Sequence, residues 1–360
     1  MSREAATVAY KAAIVADSIS ESGIRITTFV VTFWRAMLSE FNTHRMFSRN
    51  SASSRAIPVF KQLREIMLDP FIPREFGVNK PGMQAGAPLT GTLHLRAIAL
   101  WLKARDNAVL SALQMITSPE FIEAEVGAWL AKGGDFQSFV LDIADRLEAK
   151  DPSIVERDDF LGIHKGLANR LLEPFMWHTV IVTATEWENF FALRVSEQAQ
   201  QEIRIIATMM KELSDASTPT LLHEGEYHLP FLQENEKEWA KEHPEEAARA
   251  VAARCARVSY LTHDTGEADL KKDLALAERL SSSGHMSPFE HVATPMELEF
   301  VEGGFFIPKA TKYDPKATGW SGNFYGWTQY RKTLPHEDNF AEVLVAIKAA
   351  EAKQKAVTTG

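Results

Sequence analysis

Between Thr43 and Arg55 the chain gathers three arginines, a histidine, five hydroxyls and an amide in the run THRMFSRNSASSR. Arginine supplies forked donors for phosphate, and serine hydroxyls with loop amides complete such a cradle. A solvated basic turn has the same composition, so the residues alone leave both readings open. A second group is Gly284-His285-Met286-Ser287-Pro288-Phe289-Glu290-His291, where a helix ends and a Ser-Pro turn presents Phe, Glu and His. Its histidines match no common metal spacing, and a structural turn is the simpler reading. A third is Glu186, Asn189 and Arg194, among Trp187, Phe190 and Phe191. A half-buried arginine needs an anionic or carbonyl partner. The spacing favours an ion pair with Glu186 or Glu188.

Two further features look chemical and read as inert. The run HEGEYH at 223–228 is not H-E-x-x-H, and Gly225 breaks the helix such a zinc motif requires, so no metal is expected. Cys255 is the only cysteine, which excludes an intrachain disulfide and any zinc site with two thiolates. Its neighbourhood, VAARCARVSY, makes it a small apolar filler on a helix.

Composition bounds the rest. The chain has 360 residues, 45% hydrophobic and 24% charged, which is ordinary for a soluble globular protein of one large or two smaller domains. A net charge of -9 argues against a general nucleic-acid binder, so any anion site must gather its arginines locally. No apolar run reaches the roughly 18 residues of a membrane span. The first residues lack a signal-peptide core, and a cytoplasmic protein is expected. Neither G-x-G-x-x-G nor a P-loop occurs.

These groups need elements to hold them. IRITTFVVTFW at 24–34 reads as a buried strand, with a short helix from Arg35 to Phe41. The Ser-rich stretch 43–58 reads as a loop and the Pro/Gly-rich stretch 69–88 as irregular. Helical periods run over 93–113, 119–131, 137–149, 163–172, 196–214 and 269–283. Residues 177–194 begin β-like and end helix-like. The charged run 234–249, with Pro244 in the first turn of a helix reaching Val258, is a candidate join between two halves. MELEFVEGGFFI at 296–307 reads as strands about a Gly-Gly turn, and the last 20 residues as a fraying helix.

The first group resembles a known motif. The flavin-dependent thymidylate synthases carry R-H-R-x-x-S-x-N-E-x-S-x-R, and His44, Arg45, Ser48, Asn50, Ser53 and Arg55 match it. Thr43 stands where that family has Arg, Ser51 where it has Glu, and Gln198 where it usually has His. GIHKGLANRLLEP (162–174) and NFFALRVSEQAQQEIRIIA (189–207) resemble its later helices. ARVSY (256–260) and GHMSPFEHV (284–292) are similar to its A-R-V-S-[YF] and G-H-x-[ST]-P-F-E-H segments. In ordinary members those two come first, so the chain looks circularly permuted or duplicated and pruned. FYGWTQYRKTLPHE (324–337), with Trp327, Tyr330 and Arg331, is a faint echo of the arginine motif.

The resemblance implies an α+β fold with a central mixed sheet and long helices in permuted order. It implies one family-like part over 1–235, a second over 236–340, and a tail over 341–360. The implied reaction is C5-methylation of a pyrimidine nucleotide, dUMP to dTMP first. Methylene-tetrahydrofolate and NADPH would be co-substrates, FAD the cofactor, and no thiol or metal would be needed. UMP or dCMP methylation or hydroxymethylation is the alternative, and a non-catalytic nucleotide-binding homologue is one of another class. Ser53 and Arg55, lined by Ser51 and Ser54, would hold the phosphate. Arg194 would face the pyrimidine carbonyl, with Arg170 helping to polarise the ring. His44, Arg45, Asn50, Asn189, Ser259, Glu290 and His291 would contact FAD. A homo-oligomer, tetramer or dimer, is implied, with no membrane or nucleic-acid partner.

Overall fold

The computed structural model describes residues 3–7, 10–258, 269–301, 305–308, 319–334, 337 and a few positions between 341 and 352. Ser259 and most of the expected tail lie outside the described residues. The fold is α+β, built on one mixed sheet.

The sheet runs in the order β1 (Arg3–Thr7), β2 (Tyr10–Ser20), β3 (Arg25–Trp34), β5 (Trp177–Ala184), β4 (Ser48–Ser51), all antiparallel. A further strand, β6 (Thr220–Leu222), pairs parallel with the end of β2. Side chains alternate between faces along a strand, and RITTFVVTFW obeys that rule. Phe29, Val31 and Phe33 point to one face with Val180 and Val182 of β5, and all are fully buried. Thr28, Val30 and Thr32 point to the other, opposite Thr183, Ile181 and Thr179.

The first face is covered by α8 (Glu188–Arg194) and α9 (Gln201–Ala216), through Phe190, Ile203, Ile206 and Met210. Before β5 come α1 (Leu38–Phe41), α2 (Val59–Leu68), α3 (Gly91–Ile116), α4 (Pro119–Ala131), α5 (Phe136–Glu148), α6 (Pro152–Val155) and α7 (Lys165–Leu172). Helices α2, α3, α4, α5 and α7 share a second core around Leu63, Leu113, Phe139 and Leu172. Ser118 caps α4 with Pro119 behind it, and Asp135 caps α5, as helix starts prefer.

Past β6 the chain forms α10 (Lys237–Glu242), α11 (Pro244–Arg257) and α12 (Leu270–Ser282). Strands β7 (Ala293–Pro295), β8 (Leu298–Val301), β9 (Phe305–Pro308), β10 (Trp320–Ser321), β11 (Phe324–Tyr325) and β12 (Trp327–Gln329) follow in three small sheets. Gly284, at φ +75°, reverses the chain after α12, a conformation that favours glycine. This part covers the second face: Cys255 and Val258 pack on Ile181, and Ala293, Phe324 and Trp327 on Ile26. Arg254, 6% exposed, is clamped by Glu236 at 2.6 Å and by buried Asp273 at 2.8 Å. The charged run around 234–249 is therefore anchored to α12 through its partners.

One expectation changes, one is resolved as its two halves suggest, and one part of the sheet was not expected. The stretch 43–58 is not wholly loop: Ser48–Ser51 forms edge strand β4, because hydrogen bonding to β5 outweighs its weak strand propensity. The ambiguous segment 177–194 resolves into β5 and α8. Strands β1 and β2 start the sheet from an alanine-rich stretch, Arg3 to Ser20, that carries no strand signature.

A candidate anion cradle and an arginine-histidine pair beside edge strand β4

The polar run around β4 is held by the rest of the fold at several points. Ser48 and Asn50 alternate with Arg49 and Ser51. Ser48 donates to Oδ1 of Asn323 at 3.0 Å and accepts from Gln329 Nε2 at 3.0 Å. Asn323 in turn donates to the Met46 carbonyl at 2.8 Å. After β4 the loop is pinned by α7. Asn169 Nδ2 donates to the carbonyls of Ser54 and Ile57 at 2.8 and 3.0 Å, and Lys165 Nζ to that of Ala56 at 2.9 Å.

This pinning shapes a cavity of about 160 Å³ lined by Arg35, Ser51, Ala52, Ser53, Ser54, Arg55 and Arg170. Five of the expected substrate-binding residues meet there. Arg35 is the addition, which no motif contained. Gly166 matters to the geometry: a Cβ there would lie 3.1 Å from Cγ of Arg55 and 3.0 Å from Nδ1 of His164. The bare glycine lets the Arg55 stem cross the start of α7. A larger cleft, about 1990 Å³, borders the same place and shares Arg35, Ala52 and Ser54.

Arg194, the sixth expected substrate residue, lies in a second cluster and lines neither cavity. From the last turn of α8 its Nε donates to Nε2 of His44 at 3.0 Å, and Nη2 to Thr43 Oγ1 at 3.3 Å. Its carboxylate partner is Glu40, through Nη1. The expected pair with Glu186 or Glu188 is not formed: Glu186 precedes the helix, and the fold brings α1 to Arg194 instead. His44 packs against Phe47 and edge-on to Phe190. Burial, then the charges of Arg194 and Arg49, push its pKa below the ordinary histidine value. His44 is therefore neutral near pH 7, with Nε2 as acceptor and the proton on Nδ1.

The residues expected to contact FAD divide around β4. His44 lies with Arg194. Arg45 and Asn189 are exposed. Glu290 sits in the turn Ser287–His291 and is paired with Arg331. Asn50 is buried and its Oδ1 has no partner. His291 is fully buried beneath the sheet, bonded to Thr183 at 2.9 Å, with its Nε2 unpartnered. None of them lines either of the two cavities.

His291 belongs to a buried network that sequence reasoning missed. His228 shares hydrogen bonds with Ser18 at 2.9 Å and Thr28 at 2.8 Å, Thr28 with Thr183 at 2.7 Å, and Thr183 with His291. His228 comes from the run dismissed as a false zinc motif. The one available signal was β-strand threonines on the face opposite the phenylalanines. Cys255 is wholly buried, and burial pushes its thiol pKa far up, so it is inert as a nucleophile.

The fold and these two clusters define an α+β protein that gathers arginines and serines beside an edge strand. A family model described as "Thymidylate synthase complementing protein" matches residues 24–220, more than half of the chain, and the chain belongs to that family. The match spans both clusters, from Arg35 to Arg194. It stops before ARVSY and GHMSPFEHV. No curated protein matches the chain. No helix among the described residues is long and apolar enough to cross a membrane.

Proposed function

We propose that this chain is a flavin-dependent C5-methyltransferase acting on a pyrimidine nucleoside monophosphate, with dUMP the first substrate and methylene-tetrahydrofolate and NADPH the co-substrates. The observation that carries the reading is the cavity where Ser53, Arg55 and Arg170 converge inside the family match. Charge-assisted, forked donors there suit a 5'-phosphate. Arg194 is the group that faces the pyrimidine carbonyl and stabilises charge as C5 becomes nucleophilic. Neutral His44 accepts from Arg194 Nε and so fixes the guanidinium plane. Arg170, at the cavity, helps polarise the ring.

FAD, when bound, supplies the reducing hydride that turns the transferred one-carbon unit into a methyl group. The buried, unpartnered Oδ1 of Asn50 fits such a group, since it is an acceptor with no protein donor. His44, Arg45, Asn189, Glu290 and His291 are the other residues proposed to hold it, with Ser259. Their division around β4 favours a site completed by a second copy, hence a homo-oligomer. The exposed leucines 93 and 100, two turns apart on one side of α3, give such an assembly an apolar contact. The Ser287–His291 turn packs on β4 from outside the matched segment, which supports the permuted order.

One observation favours a second reading. Glu40 places a carboxylate on Arg194. A carboxylate accepts from an amine, which cytosine carries where uracil has a carbonyl, so dCMP is the competitor to test. The deciding experiment incubates the FAD-loaded protein with NADPH and methylene-tetrahydrofolate and offers dUMP, dCMP and UMP in parallel. A C5-alkylated product identifies the substrate. A protein that takes up no FAD and makes no product would remove the reading.

A further inference from the structure

Arg35 follows β3 directly and belongs to no motif. Its side chain is 16% exposed. Nη1 lies 2.7 Å from Nε2 and 3.0 Å from Nδ1 of His178, and 3.4 Å from the Ala52 carbonyl oxygen. Nη2 reaches Glu173 Oε1 only at 3.3 Å. That oxygen already accepts from Ser54 Oγ at 2.6 Å. Burial, then the Arg35 charge, hold the pKa of His178 down at about 3, so His178 is a neutral acceptor and leaves Arg35 its charge.

Arg35 thus borders the cavity with a long, shared anionic contact. Three arginines face that cavity, and Glu173 is the carboxylate within reach of Arg35. Three positive charges against one negative leave two. A phosphate monoester carries nearly two negative charges at pH 7, whereas a diester carries one. Glu173 therefore occupies the part of Arg35 that a monoester would take over.

We infer that Arg35 is a third phosphate-binding arginine, set in place by His178 and Ala52, and that Glu173 is the internal anion a phosphate monoester displaces from it. The inference rests on the proposed reading of the cavity as a phosphate site. It assigns the cavity's ligand class as a terminal monoester rather than a diester or a free nucleoside.

The test is titration calorimetry of the full chain with dUMP, deoxyuridine and inorganic phosphate, on wild type and on Arg35→Ala, Arg35→Lys, Glu173→Gln and Arg55→Ala. Arg35→Ala should weaken dUMP about 10- to 100-fold, the range for a bond to a charged group, and leave deoxyuridine unchanged. Arg35→Lys should recover part of the loss, since lysine restores charge but not the fork. Glu173→Gln should tighten inorganic phosphate and dUMP several-fold. If Arg35→Ala or Arg35→Lys keeps the wild-type preference for dUMP while Arg55→Ala loses it, Arg35 is structural and only this inference falls. If Arg35→Ala does not fold, Glu173→Gln decides: unchanged or weaker phosphate binding overturns the displacement. If wild type shows no preference for dUMP over deoxyuridine, the phosphate reading fails and takes the inference with it.

Discussion

Arg194 donates from Nε to Nε2 of His44 across 3.0 Å, joining the end of α8 to the loop before β4 over 150 residues of sequence. The bond assigns His44 its neutral tautomer and aims the guanidinium. Replacing Arg194 with Ala should lower kcat by about 100-fold or more, as removal of a preorganised charge-stabilising donor does. FAD should remain bound. Turnover and flavin absorbance of the purified variant check this, and flavin loss would mean the arginine serves the cofactor instead.

The cradle should show in substrate affinity rather than in the chemical step. Arg55→Ala or Ser53→Ala should raise KM for the nucleotide, by about 10- to 100-fold for the arginine and less for the serine. Initial rates across nucleotide concentration separate the two parameters.

Gly166 offers a finer probe. Alanine there brings a Cβ to 3.1 Å from Arg55 Cγ, and the stem must shift by a few tenths of an ångström. Nucleotide affinity should fall several-fold. Stability should change by less than about 1 kcal/mol, because alanine suits a helix better than glycine. Calorimetry and a denaturant melt on the same sample give both numbers.

Acid should unfold the protein well above pH 3. His178, His228 and His291 are buried neutral, each with its pKa lowered to about 3, chiefly by burial. Unfolded, they titrate near 6.5. Their contribution is present above that value and is lost as pH falls toward 3, because the unfolded chain binds the extra protons. The slope is about 1.4 kcal/mol per pH unit for each histidine. Urea midpoints between pH 7.5 and 4.5 should drop steadily. A flat profile would mean that the fold does not hold these imidazoles neutral.

Thr183 holds two links of the buried network, to Thr28 at 2.7 Å and to His291 at 2.9 Å. Valine keeps the shape and removes the hydroxyl, leaving both ring nitrogens of His291 unpaired. A loss of about 2–4 kcal/mol is expected from the stranded groups. Chemical denaturation measures it.

Much of this was legible from residue order alone. Helices α5, α9 and α12 follow their periodicity closely, because their burial is one-sided and periodicity reports burial, while β3 reads as an unbroken β-branched and aromatic run because both of its faces are covered. The serines and arginines of the cradle are close in sequence, so composition found them. Arg35 escaped because it enters the cavity from the end of another strand, a meeting only the sheet creates. Glu40 escaped for the same reason: the partner of Arg194 sits 154 residues away. Helix spacing offered Glu186 and Glu188 because local pairs are all that spacing sees. His228 looked like a failed ligand and is a buried hydrogen-bonding group.

The threonine-histidine chain on the second face also governs how the molecule comes apart. His228 and His291 lie beyond the family match, while Thr28 and Thr183 lie within it. Two bonds of the chain cross that boundary, Thr28 to His228 and Thr183 to His291, and both are lost if the two parts separate. A fragment trimmed to residues 24–220 would open a wet, hydroxyl-lined sheet and lose the cover over Ile181 and Ile26. Melting of the intact chain should therefore be a single cooperative event, and trimmed versions should aggregate.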